Sequence, residues 1–155
     1  MAIYFYKFGN PYGCFSNFSP HPISMGGEYW QTVEHYYQAQ KFVGSPDEWL
    51  VEKIRHASEP SSAAMLGRDR DRILRVDWEI AKIPVMRAAV LTKFLTHSDL
   101  QETLLATGEE LLVEDSPKDY FWGRGADGSG CNHLGKVLMS IRAQLRRRKS
   151  GFGKP

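Results

Sequence analysis

The residues best equipped for chemistry lie in three short clusters. The first is Thr32-Val33-Glu34-His35-Tyr36-Tyr37-Gln38-Ala39-Gln40-Lys41-Phe42. Thr32 can cap a helix running to about Phe42, which puts Glu34 near its second position. The helix dipole favours an anion there, so Glu34 is expected to be ionised at neutral pH unless burial opposes it. Val33, Tyr36, Tyr37 and Gln40 share a mostly apolar face. Glu34, Gln38 and Lys41 share another that is wholly polar. Lys41 stands two turns further on, about 10 Å along the axis. That separation would let the carboxylate act on a sugar while the ammonium meets a phosphate. The same spacing also describes a dipole-matched surface Glu and a solvated Lys, and spacing alone favours the surface Glu.

The second cluster is Asp119-Tyr120-Phe121-Trp122-Gly123. Three consecutive aromatics beside a Gly-rich loop would make a stacking wall for a base, or equally a core plug at the end of a strand. The third is Phe15-Ser16-Asn17-Phe18, whose small polar pair suits hydrogen bonding to a ligand or a simple turn. Gly123, Gly125 and Gly128 spell a literal G-x-G-x-x-G. Only 27 residues follow Gly128, filled mostly by a basic helix, so no βαβ unit can be completed. A tightly turned loop is expected instead, in which glycines can let the chain pass close to a ligand. No phosphate loop, nucleophile elbow or H-E-x-x-H is present. The five histidines are scattered without ligand spacing.

These clusters need elements to hold them. Ile3 to Phe8 reads as a strand broken by Gly9-Asn10-Pro11. Two short runs around Gly26-Gly27 read as a hairpin. Ser45-Pro46-Asp47-Glu48 is a capping box, predicting a helix to about Ala57. Pro60 opens a shorter helix ending near Gly67. Trp78 to His97 has helical periodicity that Pro84 must kink or restart. Ser98-Asp99-Leu100-Gln101 is another capping box, with Gly108 as the stop of the helix it starts. Leu111-Leu112-Val113 reads as a strand, and Asn132 caps a final helix. The expectation is α+β, mostly helical, in a single domain over 1–149 with a frayed tail at 150–155.

The chain has 155 residues, 42% hydrophobic and 25% charged, with a net charge of +2. That balance is globular and gives no strong case for a nucleic-acid partner. Arg146-Arg147-Arg148-Lys149 reads as the charged last turn of a helix. The two cysteines, Cys14 and Cys131, form no CxxC pattern, which argues against a disulfide framework or structural zinc. No apolar run approaches the ~20 residues that span a bilayer, and no signal peptide is visible. A cytoplasmic location is expected, with no membrane partner.

Together the clusters resemble the NADAR, or YbiA-like, family. The match includes Gly13-Cys14-Phe15-Ser16-Asn17-Phe18, the run Thr32 to Phe42, Gly67-Arg68, Trp78, Met86 and Lys93-Phe94. It closes with Asp119 to Gly123, Gly125, Gly128, Gly130, Asn132, Leu134-Gly135 and Leu138-Met139, covering roughly Ile3 to Arg148. The resemblance implies a compact, mostly helical fold and hydrolysis of N-glycosidic bonds. One branch of the family cleaves phosphoribosylaminopyrimidine intermediates of riboflavin synthesis, and another removes ADP-ribose from guanine bases. By the family pattern Glu34 is the essential carboxylate, with Asp119 and Trp122 also in the site. Pro84 departs from the pattern by interrupting a helix that is usually continuous.

On that resemblance the expected substrate-binding set is Ser16, Asn17, Phe18, Lys41, Arg68, Gly123 and Asn132. Trp122 and Phe18 would sandwich the base, and Lys41 and Arg68 would meet a phosphate. Asp119 would donate a proton to the base or anchor a hydroxyl. No metal or nucleotide cofactor is expected. The expected partner is a small ribosyl phosphate substrate, with ADP-ribosylated guanine as the alternative. A module that binds ADP-ribose or a related nucleotide without turnover is the rival from another class.

Overall fold

The computed structural model describes residues 1–152, and its contacts divide the chain into two compact units. One comprises Asn17–Thr96, the other Met1–Ser16 with His97 onward.

Asn17–Thr96 opens with a hairpin, β2 (Ile23–Met25) and β3 (Glu28–Trp30), paired with Ile23 opposite Trp30 and Met25 opposite Glu28. Gly26 and Gly27 both have positive φ, 62° and 78°, as the two-residue turn between twisted strands demands. Helix α1 (Val33–Gln40) follows and packs against α2 (Leu50–Arg55), α3 (Pro60–Gly67) and α4 (Trp78–Thr96). Thr32 caps α1 as expected, its Oγ1 accepting from the His35 N–H at 3.1 Å. The small, buried Ala63 and Ala64 let α3 approach α1 closely. Val33, Ala39, Phe42, Ile54 and Phe94 fill the core beside them.

Two expectations change in this unit. Helix α2 begins at Leu50, later than the capping box predicts. The Glu48 carboxylate reaches Gly44 N–H, and Ser45 Oγ accepts from Asp47 N–H. Asp47 also accepts from Ile73 N–H at 2.7 Å, which ties the segment to a later loop. Successive i→i+3 bonds (Glu48 to Ser45, Leu50 to Asp47) then make tight turns in place of the first helical turn. Pro84 does not restart α4, which is helical without a break from Trp78 to Thr96. Pro84 cannot donate to the Ile80 carbonyl one turn back, and α4 packs against α1 and β2 through this segment.

The other unit is built on a parallel pair, β1 (Ala2–Phe5) with β4 (Leu111–Glu114), in register Ala2 to Leu111 and Phe5 to Glu114. Strand β1 is shorter than the expected Ile3 to Phe8, because Asn10 N–H bonds Lys7 O and Gly13 N–H bonds Asn10 O in consecutive turns. Helix α6 (His133–Phe152) packs on β4, and α5 (Ser98–Ala106) packs on α6. The buried face carries Phe5, Phe15, Leu104, Leu112, Leu134, Leu138 and Ile141. His97, not Ser98, is the residue before α5, and no side chain caps it. Gly108 ends the segment at φ 63°.

Helix α6 runs through Ser150 to Phe152, so the basic cluster precedes its last turn except for Lys149. Arg146 reaches Glu109 and the carbonyl of Gly108, a structural use of that charge. The rest of the expected tail, 153–155, lies outside the described residues. Among the described residues no helix is long and apolar enough to cross a membrane.

Candidate active site

Glu34 sits in the first turn of α1 and is only 5% exposed. Its backbone N–H donates to Asn17 O at 3.2 Å, and its Oε1 accepts from Gln38 Nε2 at 2.6 Å. The polar stripe seen in the sequence is therefore buried through Glu34 and Gln38, not solvated. Two features compensate a buried carboxylate here: the N-terminal end of the helix dipole and a donor one turn away.

Asn17, 8% exposed, turns its amide Nδ2 to Met86 Sδ at 3.3 Å. Lys41 is half-buried, with Nζ 3.3 Å from Gly67 O and 5.6 Å from the Tyr37 ring centre. Gly67 is the point where α3 meets this stripe. A Cβ there would lie 2.0 Å from Gln38 Oε1 and 2.8 Å from Gln38 Cβ. Arg68, the next residue, is exposed and closes α3. Phe18 is half-buried beside Asn17. The unit thus joins Asn17, Glu34, Gln38 and Lys41 into one row, with Arg68 adjoining it in the chain.

Asp119, Trp122, Gly123 and Asn132 come together in the other unit. Asp119 Oδ1 accepts from the N–H groups of Phe121 at 3.0 Å and Trp122 at 2.7 Å, a turn closed by the carboxylate. Trp122 is buried, edge-on to Phe121 at 4.9 Å, and His133 packs on Phe121 at 4.4 Å. Gly123 O accepts from Asn132 N–H, and a Cβ on Gly123 would approach Asp119 O to 2.9 Å. Ser16, buried, bonds through its N–H to Gly13 O.

Asn132 departs from the role of a helix cap. It adopts φ 53°, and its amide brackets β4: Nδ2 donates to Leu112 O at 3.0 Å and Oδ1 accepts from Glu114 N–H at 2.9 Å. Both ends of the amide therefore anchor the Gly-rich loop to β4. That loop is tightly turned, with Gly125 and Gly128 at φ 72° and 80°.

Several buried polar residues lie outside the set that the sequence singles out, and three of them stand near Glu34 or on the faces beside α1. Gln38 carries the signal of an amide four residues after a carboxylate. Lys93 lies on the apolar stripe of α4 with Met86, Val90 and Phe94, and is 1% exposed with Nζ 2.6 Å from Ser19 Oγ. A lysine on a core face is such a signal too. The third is His35, fully buried, with Nδ1 2.8 Å from Thr32 Oγ1 and Nε2 3.0 Å from Ala57 O. A carbonyl only accepts, so Nε2 carries the proton and Nδ1 accepts from the Thr32 hydroxyl.

Burial lowers the His35 pKa from its ordinary 6.5, partly opposed by the bond to Ala57. The unfolded chain therefore takes up a proton first as pH falls. The stability held by neutral His35 is complete above about 6.5 and is lost below it, at up to about 1.4 kcal/mol per pH unit. Melting temperature measured from pH 8 to 5 should show this loss, and His35→Gln should flatten it. Parallel profiles for the two proteins would remove His35 as its source.

The NADAR domain model matches residues 4–146. N-glycosidase Npun_R5314 of Nostoc punctiforme is 61% identical over 146 residues, 94% of each chain. The chloroplastic riboflavin biosynthesis protein PYRR of Zea mays is 46% identical over 155 residues, 92% of this chain and 25% of its own length. The NMR structure of the Escherichia coli protein YbiA superposes with a TM-score of 0.87 at 47% identity, covering 96% of this chain and 86% of that one. A domain match over nearly the whole length, with the Glu34 helix and the Trp122 turn inside it, establishes that this chain belongs to the NADAR domain family.

Proposed function

We propose that the protein is an N-glycosidase. It hydrolyses the C–N bond between a base and a ribose phosphate, with phosphoribosylaminopyrimidine intermediates of riboflavin synthesis as substrates. The observation that carries this reading is Glu34: a buried carboxylate at a helix N-terminus, held by Gln38 Nε2 at 2.6 Å. Breaking a ribose C1′–N bond builds positive charge on the sugar, as in the oxocarbenium-like transition state of O-glycosidases. A carboxylate fixed in a poorly solvated site stabilises that charge more strongly than it would in water. Water supplies the hydroxyl that ends on C1′, and its proton ends on the departing amine. The products are ribose 5-phosphate and an aminopyrimidine.

Lys41 and Arg68 take the phosphate in this scheme, while Asn17 and Phe18 contact sugar and base; the parts of Ser16 and Gly123 rest on the family pattern. The parts assigned to Asp119 and Trp122 rest on the family pattern. Asp119 as found closes the turn that presents Trp122, so it acts at least by positioning that ring. Asn132 contributes by anchoring the Gly-rich loop, since its amide is committed to β4. The names of the Nostoc and maize relatives, an N-glycosidase and a riboflavin biosynthesis protein, support both the bond and the substrate class.

The test is a panel of phosphoribosylaminopyrimidines, NAD, ADP-ribose and ADP-ribosylated guanine, followed by mass spectrometry for released sugar. Ribose 5-phosphate from the pyrimidines is the expected result. Release of ADP-ribose from guanine alone would move the substrate to the other branch. Recovery of every ligand intact would make the protein a binding module.

A further inference from the structure

Helix α1 carries its candidate groups at opposite ends, Glu34 in the first turn and Lys41 at the C-cap. The two ends differ electrically. The dipole favours an anion at the start, where Glu34 stands, and disfavours one at the finish, where the last carbonyls lie unpaired within the helix. The N-glycosidase reading above, on which this inference rests, sets a phosphate at Lys41. That is the end an anion should avoid, and α1 has no basic residue in its own last turn.

A cation comes instead from the segment 68–77, which joins α3 to α4. Arg75 N–H donates to Lys41 O at 2.8 Å, and Arg75 Nη1 stands 3.5 Å from Gln40 O. Asp77 fixes the guanidinium in this place, Oδ1 accepting from Nε at 2.6 Å and Oδ2 from Nη2 at 3.0 Å. Two parallel bonds of this kind set the orientation of the guanidinium plane as well as its position. Lys41 is held from the other side too, its Nζ 3.3 Å from the carbonyl of Gly67, the residue before this segment. The chain from Gly67 to Arg75 therefore grips Lys41 twice, once by its side chain and once by its main chain. Arg68, the other candidate for the phosphate, lies on the same stretch.

We infer that Arg75 is the positioning residue for the phosphate end of the site: it offsets the negative end of α1 and fixes Lys41 there. Its guanidinium does not touch the phosphate in this scheme and acts through the α1 carbonyls and Lys41. The Asp77 carboxylate opposes it, returning a negative charge to the same place. Removing the charge of Arg75 and removing that of Asp77 should therefore act with opposite sign on an anion.

NMR titration with ribose 5-phosphate and with ribose tests this at low salt, where such fields are least screened. The wild-type protein should bind ribose 5-phosphate. Arg75→Met keeps the aliphatic stem, and should weaken ribose 5-phosphate about tenfold while changing ribose by less than about twofold. Arg75→Lys keeps the charge and should recover most of that loss. Asp77→Asn leaves an acceptor for the guanidinium, removes the opposing charge, and should tighten ribose 5-phosphate by about twofold. A pair that merely held the chain together would weaken both sugars alike in both charge-removing variants. If Arg75→Met does not fold, the sign of the Asp77→Asn effect decides.

The inference is overturned if the wild-type protein binds no ribose 5-phosphate, if folded Arg75→Met binds it as tightly, if ribose weakens as much as its phosphate, or if Asp77→Asn does not tighten it. The glycosidase reading fails separately. Affinities that follow these substitutions in a protein that cleaves no N-glycoside would sink the hydrolysis and leave Arg75 its part. Cleavage with affinities indifferent to Arg75 would do the reverse.

Discussion

Replacing Glu34 by Gln should slow sugar release by about a hundredfold to a thousandfold while leaving a folded protein. The substitution keeps the volume and shape of the side chain and removes its charge. The cationic sugar then loses its fixed counter-charge at the moment that charge appears. Ground-state affinity should change less, because the substrate's sugar is neutral before the bond stretches. The drop therefore belongs in kcat, with KM moving by a small factor. Folding should survive because the buried position no longer holds a charge away from water, which offsets the lost charge-assisted bond from Gln38. Steady-state kinetics on a cleaved substrate, with a melting curve on the same sample, checks both halves. A variant that turns over at the wild-type rate would show that Glu34 is not the catalytic group. Wild-type melting with kcat lowered by about a hundredfold to a thousandfold is the expected outcome.

The largest effect on stability is expected at Gly135→Ala. Within a helix this change ordinarily favours folding by about 1 kcal/mol. Here the added Cβ would lie 2.1 Å from Leu112 O and 2.4 to 2.5 Å from the Asn132 amide atoms. Neither neighbour can yield cheaply. Leu112 O belongs to β4, paired with β1, and accepts the bond from Asn132 Nδ2. Relief requires α6 to move off β4 or the Asn132 bracket to open, and overpacking of that kind costs about 1–3 kcal/mol. The clash outweighs the helix propensity, so urea midpoint and melting temperature should both fall. Gly151→Ala in the same helix meets nothing within 4 Å and should leave stability unchanged or slightly raised. If the two substitutions behave alike, the close approach of α6 to β4 is not what requires a glycine at 135.

Much of the local structure was legible along the chain because its signals act over a few residues. Gly26-Gly27 dictates a two-residue hairpin, since only such residues accept positive φ at both positions without strain. Thr32 places the start of α1, and with it the placement of Glu34 in the first turn, through one short side-chain bond. Pro60 opens α3 because its missing N–H costs nothing there. The capping box at Ser45 carried the same kind of signal and misled. Its Asp47 was claimed by Ile73 N–H, a bond to a residue far along the chain. Asn132 shows the same competition, since its side chain serves β4 backbone instead of the helix that follows it.

By itself, then, the sequence determined where most of the helices and turns begin, which residues share a helical face, and the family whose pattern singles out Glu34. Periodicity and cap chemistry are properties of neighbouring residues, so they need no fold to be read. Only the tertiary structure decided that the polar face bearing Glu34 and Gln38 is buried, and that Gly67 clears room beside it. Burial depends on what other segments cover, and α3 and α4 reach α1 from distant parts of the chain. The spacing alone favoured a solvated surface carboxylate at Glu34. Packing made it a carboxylate held out of water beside an unsatisfied acceptor.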